Sequence, residues 1–207
     1  PRILALMSEI CNNATGTLRL RMLLASRPDP KVIRALESLA KNRAVRELQL
    51  HREFSEDTKT DIRTFLKTRL TEIRIRSKIQ QDPWPTIQDL DHLVELATYP
   101  EPLFIYAATL LRFVYDEQHL RNPKNQLKIW LKQCDEDRSQ LHQIYNPILE
   151  QIYASASDTE FKQQQQFLGA LVLLVTPLSA PSLASLLARD VDDINWWLQG
   201  LHAVLDI

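Results

Sequence analysis

Hydrophobic positions follow two rhythms along the chain. Leu18-Arg-Leu-Arg-Met-Leu-Leu-Ala25 starts as an alternation and ends as a short continuous apolar run. That pattern predicts a strand entering a sheet covered on both faces. Ser26-Arg27-Pro28-Asp29-Pro30 ends it, because neither proline can donate to a ladder. Upstream, Ile3 to Met7 with Ile10 predicts a helix closing near Asn12-Asn13. A helix feeding a buried strand is a piece of a parallel α/β sheet whose other strands must lie upstream. Val45 to His51 predicts a second short strand, with Leu48 and Leu50 on one face.

Beyond this the period is helical. Thr58 or Thr60 is expected to cap a helix with Ile62, Phe65, Leu66, Leu70 and Ile73 on one stripe. Asp82-Pro-Trp-Pro85 breaks it. Thr86-Ile-Gln-Asp89 resembles a capping box with Asp in place of Glu, and Ile87, Leu90, Leu93, Val94 and Ala97 form the next stripe. Pro100-Glu-Pro102 breaks the chain again. Leu103 to Leu111, apolar on nearly every side, predicts a buried central helix. Leu127, Trp130, Leu131 and Cys134 mark another. Leu141, Ile144, Tyr145, Ile148, Leu149 and Ile152 mark the one after, kinked at Pro147.

The last third predicts three more helices: Phe161 to Val175, a short one with Leu183, Leu186 and Leu187, and one capped by Asp190 with Val191, Ile194, Leu198, Leu201 and Leu205 inward. The tight turn at Pro177-Leu-Ser-Ala-Pro181 suggests a helix-turn-helix or winged-helix module. The fold class expected is therefore mostly α, with a residual α/β strand-helix piece at the start and a winged-helix-like end.

Composition narrows the chemistry. Only 3 of 207 residues are glycine, which excludes most phosphate-cradling loops within this sequence. Net charge is −1, so no global polarity points to nucleic acid or an anionic membrane. The distribution is uneven: the balance is +7 over residues 1–82, −4 over 83–155 and −4 over 156–207. The basic third can face an anion or simply be a solvated helix face. Cys11 and Cys134 lack metal spacing and read as reduced thiols of an intracellular protein. The longest apolar runs, Leu103 to Leu111 and Leu168 to Val175, are well short of the roughly 20 residues of a spanning helix. The chain opens on Pro1, without Met, and is expected to be an excised piece of a longer protein.

Catalytic signatures are missing from the sequence. There is no Gly-x-x-x-x-Gly-Lys-Ser/Thr, HExxH, CxxC or nucleophile elbow, and the five histidines have no metal-like spacing. No catalytic and no metal-ligating residue is assigned. Arg27 stands apart, because it follows directly on the apolar strand. Ligands in open α/β sheets sit outside the carboxyl ends of strands, and an arginine there offers a charged fork to a phosphate. A helix-capping or turn arginine is the equal alternative.

Leu18 to Pro28 resembles the first sensor strand of NACHT-type STAND NTPases, closest to the fungal NLR-like ones, with Ala25 where the family's Thr-Ser-Arg-Pro has Thr. Leu48-Gln-Leu-His51, Thr60-Asp-Ile-Arg-Thr-Phe-Leu66 and Leu103-Phe-Ile-Tyr-Ala-Ala-Thr109 are similar to the segments that follow in that family. Leu168-Gly169, Pro177-Leu-Ser179 and Leu201-His-Ala-Val-Leu205 resemble its winged-helix region, also labelled GPI inositol-deacylase-like. The resemblance implies residues 1–52 as the end of a NACHT α/β core, 53–138 as a helical lid and 139–207 as a winged-helix-like subdomain. It implies Arg27 as the γ-phosphate sensor, and Pro102, Leu103 and Phe104 as an apolar wall near the nucleotide base. Pro102 replaces the family's glycine. The P-loop and the acidic magnesium-binding motif would lie upstream, so this piece is expected to hydrolyse no ATP. ATP or ADP with Mg is implied for the whole parent.

The resemblance further implies a cytoplasmic regulatory part of an ATP/ADP-switched signalling protein, in fungal non-self recognition or programmed cell death. Its partners would be the NTPase core in cis, a second copy on activation and a C-terminal repeat domain, with no nucleic acid and no membrane. The alternative is a helical adaptor that binds partner helices through exposed apolar faces, without nucleotide dependence. A DNA-binding winged helix is opposed by the −4 balance of the last third.

Overall fold

The computed structural model describes residues 23–27, 29–40, 48, 53–115, 121–133, 139–154 and 156–205, and among them the regular structure is entirely α-helical. The helices are α1 (Pro30–Ala40), α2 (Ser55–Arg76), α3 (Ile87–Thr98), α4 (Phe104–Val114), α5 (Pro123–Gln133), α6 (Gln140–Tyr153), α7 (Asp158–Leu173), α8 (Ala180–Leu187) and α9 (Val191–Gly200). Contacts divide the chain into two units, Pro1–Gln49 and Leu50–Ile207.

In the first unit, the strand expected over Leu18–Ala25 is corrected where it is described. Leu23, Leu24 and Ala25 form no ladder, and Leu23 is 96% exposed. A strand without neighbours has nothing to satisfy its backbone or cover its side chains. Residues 18–22 and the expected helix near residues 3–13 lie outside the described residues. So does the second strand over residues 45–51, except for the exposed Leu48. α1 is not among the expected helices, although Val32, Ile33, Leu36 and Leu39 recur at helical spacing. Its start is marked by Asp29-Pro30, a side-chain cap followed by the imino acid suited to the first helical position. Asp29 Oδ1 accepts from the Lys31 amide at 2.7 Å.

The second unit is built around α4. Ile62, Leu66, Leu70 and Ile73 of α2 are buried, as their spacing predicts, with Phe65 half-buried beside them. Thr58 and Thr60 do not cap this helix. It starts at Ser55, and their hydroxyls donate instead to the carbonyls of Phe54 and Glu56, at 2.7 and 3.0 Å. A threonine one turn into a helix bonds back to the carbonyl four residues earlier. Thr86 does cap α3, accepting from the Asp89 amide at 3.0 Å, while its hydroxyl donates to the Asp89 carboxylate at 2.7 Å. Ile87 is 66% exposed rather than inward; Leu96 joins Leu90, Leu93, Val94 and Ala97 in the core.

α4 packs against α2, α3, α5 and α6, and buries Tyr106, Ala107, Leu110, Phe113 and Val114. Its first turn is exposed, however, at Phe104 and Ile105. Trp130 of α5 is fully buried, edge-on to Tyr106 at 5.7 Å and tilted on Phe113 at 5.2 Å. Its indole N–H donates to the Tyr106 hydroxyl at 3.1 Å. α6 contains Pro147 and buries Ile144 and Ile148, whereas Leu141 and Tyr145 face outward, contrary to expectation. It packs on α4, α5 and α9.

Ser157 and Glu160 form a full capping box at the start of α7. Hydrogen bonds from the Ser157 amide and hydroxyl hold the Glu160 carboxyl below its ordinary range. Phe167 lies tilted against Trp197 of α9 at 5.3 Å, and Trp197 is buried beside Ile194. Ser179 caps α8 and Asp190 caps α9, the latter as expected. One apolar cluster runs from Ile62 to Ala203, so α6 to α9 share a core with α2 to α5.

Candidate functional site

Arg27 belongs to the first unit and Pro102, Leu103 and Phe104 to the second. Arg27 is exposed, and its carbonyl accepts from the Ser26 hydroxyl at 2.6 Å and from the Asp29 amide at 2.7 Å. These bonds fix the turn between Leu24 and α1. Pro102–Phe104 lead into α4. Leu103 packs half-buried against the core, and its amide donates to the Ala97 carbonyl at 2.9 Å. Phe104 is 45% exposed and tilts on Phe65 at 6.0 Å.

Gln140, at the start of α6, holds this approach in place. It is buried, and its amide donates to the carbonyls of Leu96 at 3.1 Å and Glu101 at 3.0 Å. One side chain thus ties the end of α3 and the loop before Pro102 to α6. At the other end of α4, the His202 ring nitrogens lie 2.9 Å from the Gln199 carbonyl and 3.3 Å from that of Arg112.

An apolar ridge forms where α7 ends. Leu171 and Leu174 pack against the core, while Val172, Leu173 and Val175 are 82%, 81% and 97% exposed. Leu178 follows in the turn before α8. Exposed apolar residues are ordinary when scattered; a consecutive run of them is not. Trp196 on α9 is exposed as well, while Trp197 beside it is core.

A groove of about 650 Å³ lies where α2 ends and α5 begins, bordered by Arg76, Lys78, Arg121 and Lys124 with Tyr115. Arg121 donates to the Gln151 side-chain carbonyl. An adjoining hollow of about 350 Å³ takes in Arg112 and the Arg69–Glu72 pair, whose atoms are 2.9 Å apart. Among the described residues, no three His, Cys, Asp or Glu side chains gather to hold a metal ion. Nor is any described helix long and apolar enough to cross a membrane.

The ridge, the groove and the Gln140 tie are not among the sequence-assigned residues. The ridge had a signal, since residues 163–188 contain no ionisable side chain at all. The groove had one in Arg74-Ile-Arg76 with Lys78, and in Arg121 with Lys124. Gln140 had none, because a polar residue at a helix start is ordinary. No protein-family model, curated protein or solved structure matches this chain.

Proposed function

We propose that this chain is the regulatory C-terminal part of a NACHT-type STAND NTPase, whose helices respond to the nucleotide held by an upstream core. The observation that carries the reading is the Leu103-Phe-Ile-Tyr-Ala-Ala-Thr109 segment at the start of α4. Most of the helix is buried, yet its first turn presents Phe104 and Ile105 outward at 45% and 58% exposure. An apolar wall for a nucleotide base requires side chains accessible at the end of a helix anchored by its other face. Arg27 is exposed in a turn, with its guanidinium open to a phosphate.

In this reading the diphosphate form keeps the helices closed on the core. The triphosphate, gripped by Arg27, releases them for self-association. The test is made in the intact parent, with ATP and ADP affinities and sedimentation measured for wild type and Arg27→Ala. Wild type should separate the two nucleotides, and Arg27→Ala should bring the affinities together by about tenfold, one charge-assisted contact. Equal affinities in both proteins would remove the sensor role. The helical adaptor is then the second reading, favoured by the exposed ridge at Val172–Val175.

A further inference from the structure

The groove between the end of α2 and the start of α5 gathers four cations. Arg76, Lys78, Arg121 and Lys124 border its volume of about 650 Å³, and no Asp or Glu is among the described residues that line it. Other arginines of the same unit are matched with acids: Arg63 with Asp91, Arg69 with Glu72 and Arg74 with Asp82. Arg121 is held by neutral groups instead. It donates to the Gln151 side-chain carbonyl, and the Gln151 amide donates at 3.2 Å to Gln126, which is buried. A neutral relay of this kind orients the guanidinium without cancelling its charge.

The helix dipoles account for only half of these cations. Arg76 and Lys78 lie at the carboxyl end of α2, where positive charge is favoured. Lys78 is fixed there by a left-handed turn at φ 51°, closed by the Ile79 amide donating to the Arg74 carbonyl at 3.0 Å. Arg121 and Lys124 lie at the amino end of α5, where positive charge is disfavoured, and the first turn of α5 contains no acid. Local helix electrostatics therefore opposes the second pair, and an anion in the groove offsets that cost.

We propose that this groove binds a compact ligand carrying clustered phosphate groups. Arg121 offers a fork of N–H donors and the lysines offer point charges, the combination that matches phosphate oxygens. A volume of this size suits a small molecule, and Ile79 with Tyr115 lines it with apolar surface for the ligand's frame. Two or more phosphates are needed to engage cations from both helices at once. The groove lies within Leu50–Ile207 and does not use Arg27, so a null result for Arg27→Ala leaves the proposal standing.

The test titrates this chain with tripolyphosphate and with orthophosphate by calorimetry, at about 50 and 300 mM salt. Tripolyphosphate should bind at least about tenfold tighter than orthophosphate, and more weakly at the higher salt. Arg121→Gln and Lys124→Gln should each weaken it by about tenfold. Lys59→Gln, near the other end of α2, removes the same charge and should change it by less than about twofold. Unchanged far-UV circular dichroism verifies folding in each variant. Vesicles containing phosphatidylinositol bisphosphate separate the two sources of such phosphates. Cosedimentation that tripolyphosphate displaces assigns them to a lipid headgroup, and absence of cosedimentation assigns them to a soluble molecule; either upholds the site. Four outcomes overturn the proposal. One is no tripolyphosphate binding at about 1 mM. Binding that then appears on Asp116→Asn with Glu117→Gln, next in sequence to Tyr115, would mean that the chain supplies its own counter-charge. Another is binding that both groove variants leave unchanged. The third is an equal loss in Lys59→Gln, which is net charge alone. The fourth is a single-stranded RNA of about 15 nucleotides that needs Arg121 and Lys124 and binds more than about tenfold tighter than tripolyphosphate, which makes the groove part of a nucleic-acid surface.

Discussion

Tyr106 and Trp130 are buried at 0% exposure, and each has a polar atom that water cannot reach. The indole N–H can only donate, and it has the Tyr106 oxygen 3.1 Å away. Tyr106→Phe keeps the ring and its edge-on contact but removes the acceptor. A buried donor without a partner costs about 1–3 kcal/mol, more than the net worth of the bond. Tyr106→Phe should therefore lower unfolding free energy by about that amount in urea titration, with the slope unchanged. A loss near zero would mean that the indole finds another acceptor. Sequence could place both aromatics in the core, since Trp130 lies on the Leu127 stripe and Tyr106 in the apolar run. It could not pair them, because they are 24 residues apart and no local rule sets their facing.

Among the elements, periodicity was legible where a helix is long and packs on one side. α2 shows its stripe at Ile62, Leu66, Leu70 and Ile73, and each of these is buried. It failed at helix starts. Ile87, Leu141 and Phe104 occupy first or second helical positions and are all exposed, though Phe104 still meets Phe65 of α2, and Tyr145 in the middle of α6 faces outward as well. Leu103 to Leu111 was legible as a central helix but not as one whose first turn faces outward, and that turn is the candidate base wall. Gln140 ties the loop that leads into this turn to α6. Gln140→Ala leaves the Leu96 and Glu101 carbonyls without their shared donor, so the loop before Pro102 should loosen locally. Native-state hydrogen exchange is the measurement, since the Leu103 amide, at the end of that loop, is bonded to the Ala97 carbonyl of α3. Its exchange should accelerate about tenfold, the equivalent of 1.4 kcal/mol of local opening, while amides in the middle of α2 change little. Uniform acceleration across both would make Gln140 a general stabiliser and not a local tie.

Across Leu50–Ile207, the resemblance and the packing suggest different seams. The resemblance places a boundary between residues 138 and 139, at the start of α6. The apolar cluster crosses that position, with α6 packed on α4 and α5 on one side and on α9 on the other. Polar ties cross it too: Gln140 to Leu96, Gln151 to Gln126 at 3.2 Å, and His202 near the Arg112 carbonyl. A helical lid and a winged-helix-like part that share one core move together unless something outside pulls them apart. Trp130 on α5 and Trp197 on α9 are both buried and stand on opposite sides of the supposed seam. Heating the chain with Trp130→Phe and Trp197→Phe variants, each made with Trp84 and Trp196 also replaced by Phe, leaves one reporter at a time. The two midpoints should agree with each other within each variant's own circular-dichroism transition, as for a two-state domain. If Trp197 reports an earlier transition in fluorescence than circular dichroism shows for the whole variant, α7 to α9 open first. The 138/139 boundary would then be a working joint, and a nucleotide-driven release of the C-terminal helices would need no disruption of the α4 core.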